Sequence, residues 1–191
     1  MMIPQTQHTA DIINFIPEVR QEKNFLSHII FNKLSTILNG SDFQWFFNPS
    51  SLTTATHPFK NDTHFMFTHT LFRNKTITSD WFETFEPILY SFDKKIEVNQ
   101  LVRVKFNLYT NQNKKLNHTA HWDSVDEKGN PDKDINIAIL NFTTCNGGTK
   151  INEKFYASNA NEVLMFNNTL PHQGIVQTDV PIRVILNIGW R

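Results

Sequence analysis

Along the first 96 residues, apolar side chains recur at helical spacing in two places; from residue 97 onward the recurrence shortens to every second residue. In the first helical stretch, Val19 to Leu38, Phe25, Ile29, Ile30, Leu34, Ile37 and Leu38 form one stripe that stops at Asn39-Gly40, which predicts an amphipathic helix. A second helix is predicted from Ser79-Asp80. Ser79 can cap it, and Trp81, Phe82, Phe85, Ile88 and Leu89 return every three to four residues. Between the two, His64 to Phe72 alternates aromatic and polar residues, as a half-buried strand does. In Leu101 to Tyr109 the even positions Val102, Val104, Phe106 and Leu108 are apolar, whereas Arg103, Lys105, Asn107 and Tyr109 share the other face. Further strands are predicted in Asp134 to Phe142, Glu162 to Phe166 and Ile182 to Trp190. Turn signals stand at Gly129-Asn130-Pro131, Asn146-Gly147-Gly148 and Thr178-Asp179. Short strands preceded by helices predict a mainly β protein, a sandwich or jelly roll braced by N-terminal helices.

Composition narrows the choices. A chain of 191 residues can bury one sizeable core but not two ordinary enzyme domains, so we expect one domain over 1–191, with 1–96 a helical and mixed support region and 97–191 the β core. The 18 basic and 18 acidic residues cancel, so no global field draws the chain to nucleic acid or to an anionic membrane. Cys145, the only cysteine, has no internal partner, and the N-terminus lacks a basic stretch followed by an apolar run; both fit a reducing, cytoplasmic setting. Apolar stretches fall well short of the ~20 residues of a membrane span. Asn-x-Thr triplets at Asn61, Asn74, Asn117, Asn141 and Asn167 are read as chance products of an Asn- and Thr-rich chain.

The candidate chemistry begins at His121-Trp122-Asp123. Two residues apart on an extended backbone, the imidazole and the carboxylate point to one face and can grip one metal. The triplet alone is weak and also describes two polar loop side chains, so a third ligand is needed. His172 supplies it, in Leu170-Pro171-His172-Gln173-Gly174. If the chain then turns as a hairpin about Gln177 to Asp179, His172 faces Arg183. Arg183 and Asn187 oppose an apolar face made by Val184, Leu186 and Ile188, and a guanidinium pointing into a sandwich needs an anion, either a protein carboxylate or a bound dicarboxylate. Two imidazoles and one carboxylate suit Fe(II) with open positions, with zinc as the runner-up. Asn107 and Asn187 either line the pocket or hold loops. His118 is read as a second-layer or surface residue; His64 and His69 are not needed as ligands. Trp122 is read as packing, Gly147-Gly148 as a turn and Cys145 as a bystander thiol.

The order Tyr109, His121-x-Asp123, Gly147-Gly148-Thr149, His172-x-Gly174 and Arg183 resembles the Fe(II)/2-oxoglutarate-dependent oxygenase superfamily. Within it the C-terminal half is similar to the prolyl 4-hydroxylase-like branch and to small oxygenases encoded by marine tailed phages. Phe43-Gln44-Trp45-Phe46-Phe47-Asn48 and Phe67-Thr68-His69 resemble the phage group more loosely. The resemblance implies a double-stranded β-helix, with His121, Asp123 and His172 as catalytic iron ligands. It also implies 2-oxoglutarate as co-substrate, its far carboxylate held by Arg183 and Tyr109, and O2 consumed in hydroxylating a C–H bond with release of succinate and CO2. The expected partner is a peptide, such as a peptidyl proline, or a small molecule, in the cytoplasm of a host cell if the gene is phage-borne; neither nucleic acid nor membrane is expected. The alternatives are a non-catalytic jelly roll that binds a metal or ligand and a cupin-like metalloenzyme. Specificity is expected in the loops Asn111 to Asn117, Ser124 to Lys133 and the flap-like Asn48 to Asp62.

Overall fold

The computed structural model describes residues 18–50, 64–94 and 98–191. Most of the expected Asn48 to Asp62 flap lies outside them, as does Asn61. The elements in chain order are β1 (Arg20–Lys23), α1 (His28–Leu38), β2 (Phe46–Asn48), β3 (Met66–Arg73), β4 (Thr76–Ile77), α2 (Phe82–Asp93), β5 (Leu101–Thr110), β6 (Asn136–Asn141), β7 (Cys145–Ile151), β8 (Lys154–Ser158), β9 (Glu162–Asn167), β10 (His172–Ile175) and β11 (Ile182–Trp190).

The strands form two antiparallel sheets. The larger runs β1-β9-β6-β11-β5-β3-β2, with β4 added on β3; the smaller runs β10-β7-β8. One face of the large sheet carries both helices. Phe31, Leu34 and Leu38 of α1 and Phe85, Ile88 and Phe92 of α2 pack there against Val104, Phe106, Val184, Leu186 and Ile188. This is the alternate set of β5 and β11 that the two-residue period picked out. The other face meets the small sheet through a second cluster that includes Ile137, Ile139, Leu164, Phe166, Ile151 and Tyr156. This is the jelly roll braced by helices that the pattern predicted, with one departure. Besides the strand expected over His64 to Phe72, which is β3, the region before residue 97 also supplies β1, β2 and β4 to the large sheet.

Three local expectations change. The first helix begins at His28, not near Val19, because Asn24 turns the chain at φ 51° and Arg20–Lys23 pairs with β9 as an edge strand. Ser27 caps the helix through Ile30 N, and Ile29, assigned to the apolar stripe, is 84% exposed. Gly147 and Gly148 are not a turn. They lie within β7, where a Cβ on Gly148 would sit 2.2 Å from the Tyr156 carbonyl oxygen, so glycine permits the close approach of β8. Third, Val102 packs with the inner cluster, since the β5–β11 register shifts between Gly189 and Trp190. The second helix agrees better: its first turn is at Phe82, and Ser79 Oγ accepts from Trp81 N at 3.1 Å. Asn141 and Asn167 are buried and hydrogen-bonded, which removes them as glycan acceptors. Among the described residues no helix is long and apolar enough to cross a membrane.

Candidate metal centre and its pocket

The polar face of the large sheet and the mouth of the small one enclose a cavity of about 240 Å³ that contains every site residue read from the sequence. His121 and His172 are joined by their backbones as a hydrogen-bonded antiparallel pair. His121 N donates to His172 O at 2.9 Å, and His172 N donates to His121 O at 3.0 Å. Asp123 reaches the same point from one pleat further along. Its carboxylate oxygens lie 3.8 Å from His121 Nε2 and 3.7 Å from His172 Nε2, and donor atoms of all three groups fall within 4.8 Å of one another. Donors about 2.1 Å from a shared ion can be at most about 4.2 Å apart, so a first-row divalent cation fits with small adjustments.

The ligands are set for this. Thr119 O sits 3.0 Å from His121 Nδ1, which places the proton there and leaves the Nε2 lone pair for an ion. Burial keeps His172 neutral against the opposing pull of Asp123. Burial would raise the Asp123 carboxyl, but Arg103, then the two imidazoles and the Asn187 amide, outweigh it and hold the group well below the usual carboxylate range. Arg103 lies 2.7 Å from Asp123 Oδ1 and donates to Asn187 Oδ1 at 2.9 Å; Asn187 Nδ2 in turn donates to Asp123 Oδ2 at 2.7 Å. Asn168, fully buried, accepts from the backbone of Asp123 and Ser124 and donates to Ser124 O and Asp132 O, which clamps the ligand loop.

Arg183 lies opposite Tyr109 across the β11–β5 ladder, its guanidinium carbon 5.4 Å from the Tyr109 ring centroid. It is 1% exposed, donates to Thr149 Oγ1 at 3.2 Å, and faces no carboxylate among the described residues. Burial therefore lowers its pKa with only Tyr109 and Cys145 opposing. The expected hairpin is not how it arrives there. His172 belongs to the small sheet, opposite Ile151, whereas Arg183 belongs to the large one. The segment between them crosses from sheet to sheet, tied by Gln177 Nε2 to Tyr109 O and by Asn146 with Thr178 and Asp179.

Other assignments divide. Asn187 lines the cavity with its amide on the Asp123 carboxylate. Asn107 is buried on the pocket wall, its Oδ1 unpartnered. His118, read as second-layer or surface, is 3% exposed on the wall beside the Tyr109 ring, and burial, then His64 and Arg183, lowers its pKa to about 3. Trp122 lines the cavity, with Nε1 donating to Thr169 O. Cys145 is buried near Arg183, and desolvation raises its thiol. His69 is spent on Gln44 O and Ser79 Oγ. Sequence reasoning missed Arg103, Lys105 and Asn168, and named Thr149 only within its motif, without a role. The first two stood on the polar face of β5, a signal that was present but looked like a solvated surface.

No family model and no curated protein matches the sequence. Solved structures do. A 2OG-Fe(II) oxygenase family oxidoreductase from Burkholderia pseudomallei superposes with a TM-score of 0.64 at 11% identity, over 90% of this chain and 84% of that one. The viral collagen prolyl hydroxylase of Paramecium bursaria Chlorella virus-1, solved with 2OG, gives 0.53 at 12%, over 90% and 93%. The non-heme alpha-ketoglutarate-dependent epimerase SnoN of nogalamycin biosynthesis gives 0.59 at 9%, over 92% and 78%. At such identities the likeness is one of fold, and the fold is the double-stranded β-helix.

Proposed function

We propose that this protein is an Fe(II)- and 2-oxoglutarate-dependent oxygenase, the described chain acting as one catalytic unit. The observation that carries the reading is Arg183: a fully buried guanidinium without a protein anion among the described residues, in the same small cavity as a His-Asp-His triad. A buried cation of this kind is costly unless an anion completes it. The far carboxylate of 2-oxoglutarate meets the planar fork of Arg183, with Thr149 and Tyr109 beside it, while the keto-acid end reaches the triad. Gly174 keeps that path open, since a Cβ there would project toward His118 Nδ1 and the Tyr109 hydroxyl, at 3.5 and 3.7 Å.

His121, Asp123 and His172 would hold the iron. When bound, iron with 2-oxoglutarate and O2 supplies the oxidation of a substrate C–H bond, 2-oxoglutarate leaving as succinate and CO2. The chain's own residues do the rest. Thr119 fixes the His121 tautomer, Arg103 and Asn187 keep Asp123 ionised and oriented, and the small sheet covers the site from water. The similar proteins include a collagen prolyl hydroxylase and an epimerase of nogalamycin biosynthesis, so peptides and small molecules both stand as candidate substrates, free or peptidyl proline among them.

The test is anaerobic titration with Fe(II) and 2-oxoglutarate, following the weak visible band of the chelate. Wild type should form the band, and Arg183→Ala should require roughly 30-fold or more 2-oxoglutarate, the range for truncating one partner of a buried charge pair. His121→Ala should bind no iron and keep its fold. Fe(II) bound in wild type without a band would refute the reading.

A further inference from the structure

The cavity has a second cationic end that 2-oxoglutarate does not use. Its lining holds four basic side chains, Arg73, Arg103, Lys105 and Arg183, against one carboxylate, Asp123; burial, then Arg103, lowers the Lys105 pKa to about 7, so the excess is two full positive charges with Lys105 partly charged in addition. A divalent iron and a dianionic 2-oxoglutarate cancel, so occupation of the site as proposed above leaves that excess in place. The charges are also divided in space. Arg183 is level with Tyr109 on the β11–β5 ladder, and Lys105 is level with Asn187, four residues further along β11. At strand spacing the two rows are about 13 Å apart. The Asp123 carboxylate, hydrogen-bonded to Asn187 and paired with Arg103, stands toward the Lys105 row.

At that far end the arrangement is unfavourable as it stands. Arg73 and Arg103 are direct partners across β3 and β5, and like charges placed opposite one another destabilise a sheet. Arg103 has Asp123; the side chains of Arg73 and Lys105 make no ion pair or hydrogen bond among the described residues. Exposed Arg73, Arg103 already paired with Asp123, and Lys105, whose pKa burial and Arg103 lower to about 7, converge on one pocket wall; an anion placed there would restore the charge of Lys105, which is how a protein receives an anion.

We propose that the Arg73–Arg103–Lys105 end of the cavity is an oxyanion subsite that seats a carboxylate or phosphate of the primary substrate. The substrate is then a small acid, or the acidic end of a molecule, rather than the neutral interior of a polypeptide. The anion subsite needs only the cavity; its role in substrate selection rests on the oxygenase reading.

The probe is inorganic sulfate, titrated calorimetrically at constant ionic strength into protein loaded anaerobically with Fe(II) and 2-oxoglutarate, with the visible band followed in parallel. Saturable sulfate binding that leaves the band in place is the expected result. In Lys105→Met and Arg73→Gln samples that have formed the band, the affinity should fall roughly tenfold or more, the effect of losing one charge-assisted hydrogen bond. No saturable binding, equal affinity in the variants, or sulfate that displaces the band and loses its site in Arg183→Ala would each overturn the subsite. Lys105-dependent sulfate binding to a protein that never forms the band would instead overturn the oxygenase reading and leave the subsite standing. In turnover, succinate release should be driven by carboxylic acids over their amides, or by phosphomonoesters over the parent alcohols, and this pair of comparisons tells the two oxyanions apart. An amide as effective as its acid would overturn the substrate assignment.

Discussion

Asp123 shows at the scale of one residue how the site is prepared. Each of its oxygens has a protein partner, Arg103 on one and Asn187 on the other, so the carboxylate is ionised and aimed before any cation binds. His118 shows the complementary device, a histidine kept uncharged by burial. Its pKa in the folded protein, about 3, lies below the ordinary 6.5, so the unfolded chain takes up the proton first. The stability linked to His118 is therefore complete above about pH 6.5 and is lost as the pH falls toward 3. Denaturant unfolding followed from about pH 7 to about pH 4 should show a loss on the order of a few kcal/mol in wild type and a shallower loss in His118→Asn. Equal slopes would exclude His118 as a source. The triad was legible at this scale because a His-x-Asp spacing fixes a shared face on any extended backbone. Arg103 and Lys105 were not, since a polar alternate set looks the same whether it faces water or a polar cavity.

Among the elements, β7 illustrates how backbone proximity overrides composition. Gly147-Gly148 carries the residue types of a turn, yet the chain there is a strand pressed against Tyr156. Gly148→Ala would set a methyl 2.2 Å from a backbone oxygen and 2.8 Å from the Phe155 ring, forcing β7 and β8 apart. We expect a destabilisation of about 3 kcal/mol or more. Gly174→Ala meets its neighbours at ordinary contact distance, so its stability should change little while its 2-oxoglutarate affinity falls. Thermal melts of the two variants check this, and similar melting temperatures would contradict it. The β10–β11 connection makes the same point about topology. Its turn residues predicted a hairpin, but buried Gln177 and the Asn146 contacts pull the segment across the sandwich instead. Arg183 still reaches the cavity, because alternation on β11 sets its face whichever strand is its neighbour.

For the whole molecule, ligand binding and folding are linked. The proposed iron-holding residues come from β10 and the loop between β5 and β6, and the side chains proposed for 2-oxoglutarate from β5, β7 and β11, so ligands that bind only the assembled fold would stabilise it by mass action. Saturating Fe(II) and 2-oxoglutarate together, at about a hundred times their dissociation constants, should add roughly 2.7 kcal/mol per site. His121→Ala should lose the metal-dependent part of the shift in anaerobic melts, and a full shift in that variant would place the metal elsewhere. What the sequence by itself determined is what periodicity encodes: that Val104 and Phe106 of β5 and Val184, Leu186 and Ile188 of β11 face the helices, that His121 and Asp123 share a side, and that Arg183 lies on the inner face. These follow from local geometry, two residues per strand repeat, and need no knowledge of neighbours. Only the tertiary structure decided which strands pair, that His172 meets His121 rather than Arg183, that residues 20–23 join a sheet instead of a helix, and that the polar row of β5 lines a cavity. Those outcomes depend on contacts between residues far apart in the chain, such as Gln177 with Tyr109 or Asn168 with Asp123, whose energies local pattern does not carry.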